Sequence, residues 1–189
     1  MDGRLIYLMG PSGSGKDSLI AAARLPLQAM NCQIVRRVIT RSAESVGEDA
    51  RGVSPEEFVR LQRAGDFALA WQANGLSYGI PVQIDQWLKE GRDVLVNGSR
   101  ANLRQAIERY PTLVPILLTV KDEVLRERLL GRGRETGEQV DDRIARNALF
   151  KERRSTDTSV HVIDNSGALV DAVNHLLELI RLSAAPDQI

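Results

Sequence analysis

Nine consecutive residues, Gly10-Pro11-Ser12-Gly13-Ser14-Gly15-Lys16-Asp17-Ser18, follow directly on the apolar run Leu5-Ile6-Tyr7-Leu8-Met9. Glycines at this spacing let successive backbone N–H groups converge on a phosphate, and the lysine adds a point charge. A helix expected to begin at Lys16 turns its positive dipole end toward the same anion. The ligand to expect is a nucleoside triphosphate held by residues 10–18, with Lys16 on its β and γ phosphates. One position departs from the usual pattern. The hydroxyl residue that follows the lysine in such loops, a Mg²⁺ ligand, is here Asp17, with Ser18 one place later. A carboxylate is also a hard oxygen ligand, so Asp17 and Ser18 are the expected metal contacts; the alternative is that Asp17 merely suits the first turn of the helix.

A second constellation is cationic. Arg126, Arg128, Arg132, Arg134, Arg143 and Arg146 fall within one helix, glycine-rich loop and helix, with Gly131, Gly133 and Gly137 between the helices. Phosphoryl transfer needs positive charge on the migrating group and exclusion of water, and arginines on a closing lid supply both. Arg132, at the glycine hinge, and Arg143, early in the returning helix, are the catalytic candidates beside Lys16, and 131–143 reads as a lid. Arg126, Arg128 and Arg134 read instead as a solvated face paired with neighbouring acids. A phosphate acceptor is already ionised at neutral pH and needs no general base, so this set suits a kinase acting on a phosphate group. His161 and His175 are then read as structural.

These groups must be positioned by alternating strands and helices. Apolar runs predict strands at 5–9, 33–40, 94–97, 114–120 and 160–164, and helical periods predict helices at 16–24, 83–89, 101–110, 123–132 and 169–182. The order implies an α/β fold with a central parallel sheet flanked by helices. Residues 41–79 break the alternation with a polar loop, a helix capped at Ser54, a strand at 67–72 and an Asn74-Gly75 turn, and read as a small inserted acceptor-binding subdomain. The length of 189 residues suits a single domain, 1–189. Its 25 basic and 25 acidic residues cancel, which argues against a general nucleic-acid or membrane-surface partner and for a small-molecule substrate. The single cysteine, Cys32, excludes an internal disulfide and reads as a buried apolar residue. The strand begins within a few residues of the N-terminus, with no basic and apolar leader, so a cytoplasmic location is expected.

Over nearly its whole length the chain resembles the guanylate kinase family. The resemblance is carried by the loop at 10–16, Thr40-Arg41, Glu57-Phe58, Tyr78-Gly79, Gly91-Arg92-Asp93-Val94-Leu95, Arg128-Leu129 with Arg132-Gly133, and Arg143. It implies that Arg41 and Tyr78 hold the acceptor phosphate and that the lid arginines contact the nucleotide and the transferring phosphate. The departures fall where such enzymes read a base. Gln72 and Asn97 stand where acidic residues are expected, and Glu44 stands in place of a second phosphate arginine. A carboxylate suits the N–H donors of guanine, so GMP is a poor substrate prediction.

The segments Gly-Lys-Asp-Ser, Ala70 to Pro81, Val96-Asn97-Gly98-Ser99-Arg100 and Val162 to Gly167 are similar to those of the ribose 1,5-bisphosphate phosphokinase family. That likeness implies ATP as phosphoryl donor with Mg²⁺, and conversion of ribose 1,5-bisphosphate to 5-phosphoribosyl 1-diphosphate in phosphonate catabolism. It implies an acceptor site formed by Arg41, Gln72, Tyr78, Ser99 and Arg100, with Trp71 open between walling the sugar and joining the core. Asn165, after the last strand, is expected beside the nucleotide base. Two alternatives stay open: a nucleoside monophosphate kinase with altered base selection, and a non-catalytic binding module, which the retained Lys16 and lid arginines disfavour.

Overall fold

The computed structural model describes residues 2–40, 49–131, 133, 136–152 and 160–183, with 146–152 as backbone only. Its centre is a five-stranded parallel sheet. The strands are β1 (Leu5–Met9), β2 (Cys32–Ile34), β7 (Asp93–Asn97), β8 (Val114–Thr119) and β9 (His161–Asp164), in the spatial order β2-β7-β1-β8-β9. Strand β1 is buried at every position, as expected of a central strand covered on both faces. On one face Ile6 and Leu8 pack with Leu95, Ile116, Leu118 and the apolar stripes of α1 (Lys16–Ala29) and α7 (Leu169–Leu182). On the other, Leu5, Tyr7 and Met9 pack with Val94, Val96, Ile84 and Leu88. Cys32 lies in the first of these cores, and burial pushes its thiol up to about 12.

The predicted strand at 33–40 is two strands in two sheets. Strand β2 ends at Ile34, and β3 (Val38–Ile39) joins a second, four-stranded sheet ordered β4-β3-β6-β5, with β4 (Arg51–Gly52), β5 (Phe67–Ala73) and β6 (Leu76–Pro81). The two charged residues Arg36 and Arg37 interrupt the apolar run and carry the chain from one sheet to the other. The hairpin β5–β6 turns at Asn74, which takes φ 51°, and Gly75, at φ 74°. Helix α2 (Pro55–Ala64) starts as the sequence predicts, with Ser54 Oγ accepting the Glu57 N–H at 3.1 Å and proline in the first turn. Helix α3 (Gln83–Lys89) returns the chain to the main sheet, and α4 (Leu103–Arg109) follows β7 through one 3₁₀ turn.

The segment read as a lid, 131–143, lies between the end of α5 (Asp122–Gly131) and the first turns of α6 (Gly137–Glu152), and a small apolar core of Val120, Leu125, Leu129 and Val140 joins the two helices. Among the described residues no helix is long and apolar enough to cross a membrane.

Candidate active site

All five strands of the main sheet run parallel, so their carboxyl ends share one edge, and the chain crosses β1 there on passing from β7 to β8. Ligands of open α/β sheets bind at such an edge. The loop at 10–15 leaves β1 at this place and feeds α1, whose cap, Gly15, sits at φ 92°, in the left-handed region. A Cβ on Gly15 would also meet the Asn165 carboxamide nitrogen at 2.5 Å. Lys16 folds back across the loop, its Nζ donating to the carbonyls of Gly10 at 2.8 Å and Pro11 at 3.0 Å. Ser14 is wholly buried, and its Oγ has no partner among the described residues.

Asn165 holds this loop from behind. Its Nδ2 donates to the Ser14 carbonyl at 2.7 Å while its Oδ1 is buried without a partner among the described residues. In the structure the residue expected beside the base is a buttress of the phosphate loop. From the lid side, Arg143 Nη1 donates to Ser12 Oγ at 3.0 Å, bringing that catalytic candidate onto the loop. Arg132 lies outside the described residues, as do Arg134, Arg41 and Glu44, and so does the Arg146 side chain.

The two arginines read as solvated on α5 part company. Arg126 is exposed and forms a two-point ion pair with Asp141 of α6, as expected. Arg128, two residues on, is not on that face. A Cβ built on Gly15 would lie 3.7 Å from its Nη1, which is buried and has no hydrogen-bond partner among the described residues. The Leu125 and Leu129 side chains explain the difference, since they pack against Gly13 of the loop and carry Arg128 inward with them. Composition and spacing cannot distinguish the two positions, because which stripe of α5 faces the loop is decided by packing.

Asp17 and Ser18 are both exposed on the first turn of α1. Asn97, at the end of β7, donates from Nδ2 to Asp17 Oδ1 at 3.0 Å and is itself 8% exposed, with Oδ1 buried and without a partner among the described residues. Both residues line a cavity of about 300 Å³ bounded also by Arg24, Arg37 and Asp49. That is at the lower end of small-molecule sites, roughly 300 to 1,000 Å³. Beyond Asn97, Gly98 passes directly over the Tyr7 ring, where a Cβ would stand 2.2 Å from Cζ, so no larger residue fits. The Tyr7 hydroxyl donates to the Ser99 carbonyl at 2.9 Å and accepts the Ser99 N–H at 3.0 Å, fixing the backbone that presents Ser99 and Arg100. Burial raises the Tyr7 pKa, so this hydroxyl stays protonated and keeps its donor role.

Tyr78 and Gln72 do not share a face. Trp71 is directly opposite Tyr78 in the β5–β6 register, their rings stacked at 5.4 Å, whereas Gln72 is opposite Ser77 and exposed. Side chains alternate along a strand, so Gln72 projects from the other face of the hairpin from Tyr78. The structure therefore does not bring Gln72 together with Tyr78. Beside Tyr78 stands Arg37, a residue the sequence does not single out. Its guanidinium lies over the Tyr78 ring, 4.9 Å from the centroid, and its Nη1 donates to the Asn97 carbonyl at 3.0 Å.

A phosphate loop after the central strand, a four-stranded mixed insert and a helix pair reaching back over the loop define an α/β fold of guanylate kinase architecture. The fold is similar to that of guanylate kinase from Anaplasma phagocytophilum, with a TM-score of 0.71 over 98% of this chain and 88% of that one, at 21% identity. No family model matches the sequence. Full-length relatives are more specific. The chain is 62% identical over 177 residues, 94% of its length and 95% of the relative's, to ribose 1,5-bisphosphate phosphokinase PhnN of Pseudomonas paraeruginosa. It is 58% identical over 184 residues, 97% and 99% of the two lengths, to the protein of the same name from Azotobacter vinelandii. The chain belongs to the ribose 1,5-bisphosphate phosphokinase family.

Proposed function

We propose that this protein transfers the γ-phosphoryl group of ATP to the anomeric phosphate of ribose 1,5-bisphosphate, giving 5-phosphoribosyl 1-diphosphate and ADP. The observation that carries the reading is the phosphate loop, with its lysine and buried unpartnered Ser14 hydroxyl, in a chain of this family. An oxygen of the acceptor's 1-phosphate attacks the γ-phosphorus, and the bond from that phosphorus to the β–γ bridging oxygen breaks, leaving ADP. The nucleophile is already ionised, so catalysis is positioning and charge neutralisation. Loop amides and Lys16 bind the β and γ phosphates. Arg143 and Arg128 converge on the same loop, the first from α6 and the second from α5, and neutralise charge on the donor; Arg132 belongs to the same lid. Tyr78 orients the accepting phosphate with Arg41, and Ser99 and Arg100 close the acceptor site from the end of β7.

The donor atoms beside the loop fit Mg²⁺. Asp17 and Ser18 offer hard oxygens and no nitrogen or sulfur, and Asn97 sets the direction of the Asp17 carboxylate. Among the described residues no group of three or more His, Cys, Asp or Glu side chains is placed to hold a metal ion. When bound, Mg²⁺ supplies charge neutralisation across the β and γ phosphates.

Acceptor-dependent ADP release, with ribose 1,5-bisphosphate and GMP compared side by side and the product identified as a diphosphate, tests this reading. Preference for the sugar bisphosphate is the expected result, and preference for GMP overturns it.

A further inference from the structure

We infer that Arg24 binds the remote phosphate of the acceptor, the 5-phosphate that does not react, and that Asp49 holds this place until the substrate displaces it; the inference rests on the substrate reading above. The cavity beside the loop runs along one face of α1. Asp17, Ile20, Ala21 and Arg24 all line it, and steps of three, four and seven residues from Asp17 place them on a single stripe. At about 1.5 Å of rise per residue, Arg24 stands about 10 Å from Asp17 along the helix axis, two turns on. The Asp17 end adjoins the loop and must take the reacting 1-phosphate, which has to meet the donor there. Ile20, Ala21 and Ile34 line the stretch between, an apolar surface suited to the carbon face of a sugar. A furanose with a phosphate at either end therefore brings its second anion to Arg24.

An anion already occupies that position. Asp49 accepts from Arg24 Nη2 through Oδ2 at 2.9 Å, and Arg36 Nε stands 3.0 Å from Oδ1, so one carboxylate bridges guanidiniums from α1 and from the link between the two sheets. A phosphate offers a guanidinium the same two-oxygen edge with more charge, and is the stronger partner. The exchange costs the fold little. Asp49 is 62% exposed, and an exposed ion pair contributes little to stability. Releasing Arg24 also leaves Asp49 its second partner, because Oδ1 stays on Arg36, whose Nη2 donates to the Ala50 carbonyl at 3.2 Å. The carboxylate competes for Arg24 and repels an arriving phosphate, so Asp49 weakens substrate binding while Arg24 strengthens it. Opposite signs from the two members of one ion pair separate this role from a structural one, in which the loss of either member does the same harm.

The test measures KM for ribose 1,5-bisphosphate, kcat and ATP affinity in the wild type, Arg24→Met, Asp49→Asn and the double variant. Arg24→Met should raise KM for the bisphosphate about thirtyfold, with kcat within about fivefold and ATP affinity within about threefold of wild type. Asp49→Asn, which keeps the shape and removes the charge, should lower that KM about threefold or more, and should change nothing further once Arg24 is replaced. It carries the test alone should Arg24→Met fail to fold. A KM raised or unchanged in Asp49→Asn, or an Arg24→Met protein whose KM stays within about threefold of wild type, overturns the assignment and leaves the enzyme's activity standing. A wild-type protein that does not phosphorylate the bisphosphate overturns the substrate reading, and this inference with it.

Discussion

Where the strands of the parallel sheet begin, polar side chains answer one another. Arg4 Nε donates to Asp93 Oδ1 at 3.2 Å, the Arg4 N–H donates to the same oxygen at 2.8 Å, and Nη2 reaches both Asp93 Oδ2 and the carbonyl of Ile180 at 3.0 Å. One ion pair thereby ties β1, β7 and α7 together, with only Nη1 of Arg4 left over. Where the same strands end, Ser14, Asn97, Asn102 and Asn165 each bury a side-chain atom that has no partner among the described residues, and Arg128 adds a fifth. A buried polar atom without a partner costs about 1 to 3 kcal/mol, so a cluster of them at one edge needs a reason. The contrast teaches that one edge uses its polar groups for the fold and the other holds them ready for a ligand.

The largest effect should come from the carboxyl edge. Lys16→Met is expected to lower kcat/KM by about a thousandfold, or about 4 kcal/mol of transition-state stabilisation, with the unfolding midpoint nearly unchanged. Retention of activity within tenfold would mean that the loop is not the phosphate site. Next, Arg128→Met should raise KM for ATP by about a hundredfold, whereas Arg126→Met, two positions away on the exposed ion pair, should change neither KM nor stability by a measurable amount. If the two variants behave alike in ATP titrations, the inward placement of Arg128 is wrong and the contrast between edges loses its fifth member.

At the opposite edge the sign of the experiment reverses. Asp93→Asn should cost about 2 kcal/mol in denaturant unfolding, because it leaves the half-buried Arg4 without its countercharge, while kcat at saturating substrates stays the same. Lost turnover in a folded Asp93→Asn protein would show that the two edges are not separable. The smallest expected effect belongs to Asp17→Asn, which should weaken Mn²⁺ binding to the enzyme with a non-hydrolysable ATP analogue by about tenfold, read by the paramagnetic signal of free Mn²⁺. An unchanged titration would return Asp17 to the role of a helix-start residue.

The carboxyl edge was legible in the sequence where its chemistry is local. The loop at 10–18, its lysine and the helix after it lie in one continuous stretch, and a short-range pattern suffices to read them. Helix boundaries at 83–89 and 169–182 were equally plain, because each carries an apolar stripe that only one period fits. Arg37 was not legible. Its partners, Tyr78 and Asn97, come from two different sheets, and nothing local in the sequence says which residues of either sheet it meets. Gln72 was misplaced for a related reason: a strand reverses faces at every residue, so a position counted from a motif is right only if the cross-strand register is known. Arg128 needed the packing of Leu125 and Leu129 against Gly13 before its direction could be told.

The hydrogen bond from Asn165 to Ser14 joins residues separated by 151 positions, and it bears on the order in which the molecule is made. The phosphate loop leaves the ribosome 151 residues ahead of its rear support. At roughly 5 to 20 residues per second, the loop waits on the order of ten seconds or more for the strand that completes it. Nucleotide affinity on a stalled nascent chain should therefore rise sharply only once Asn165 has emerged.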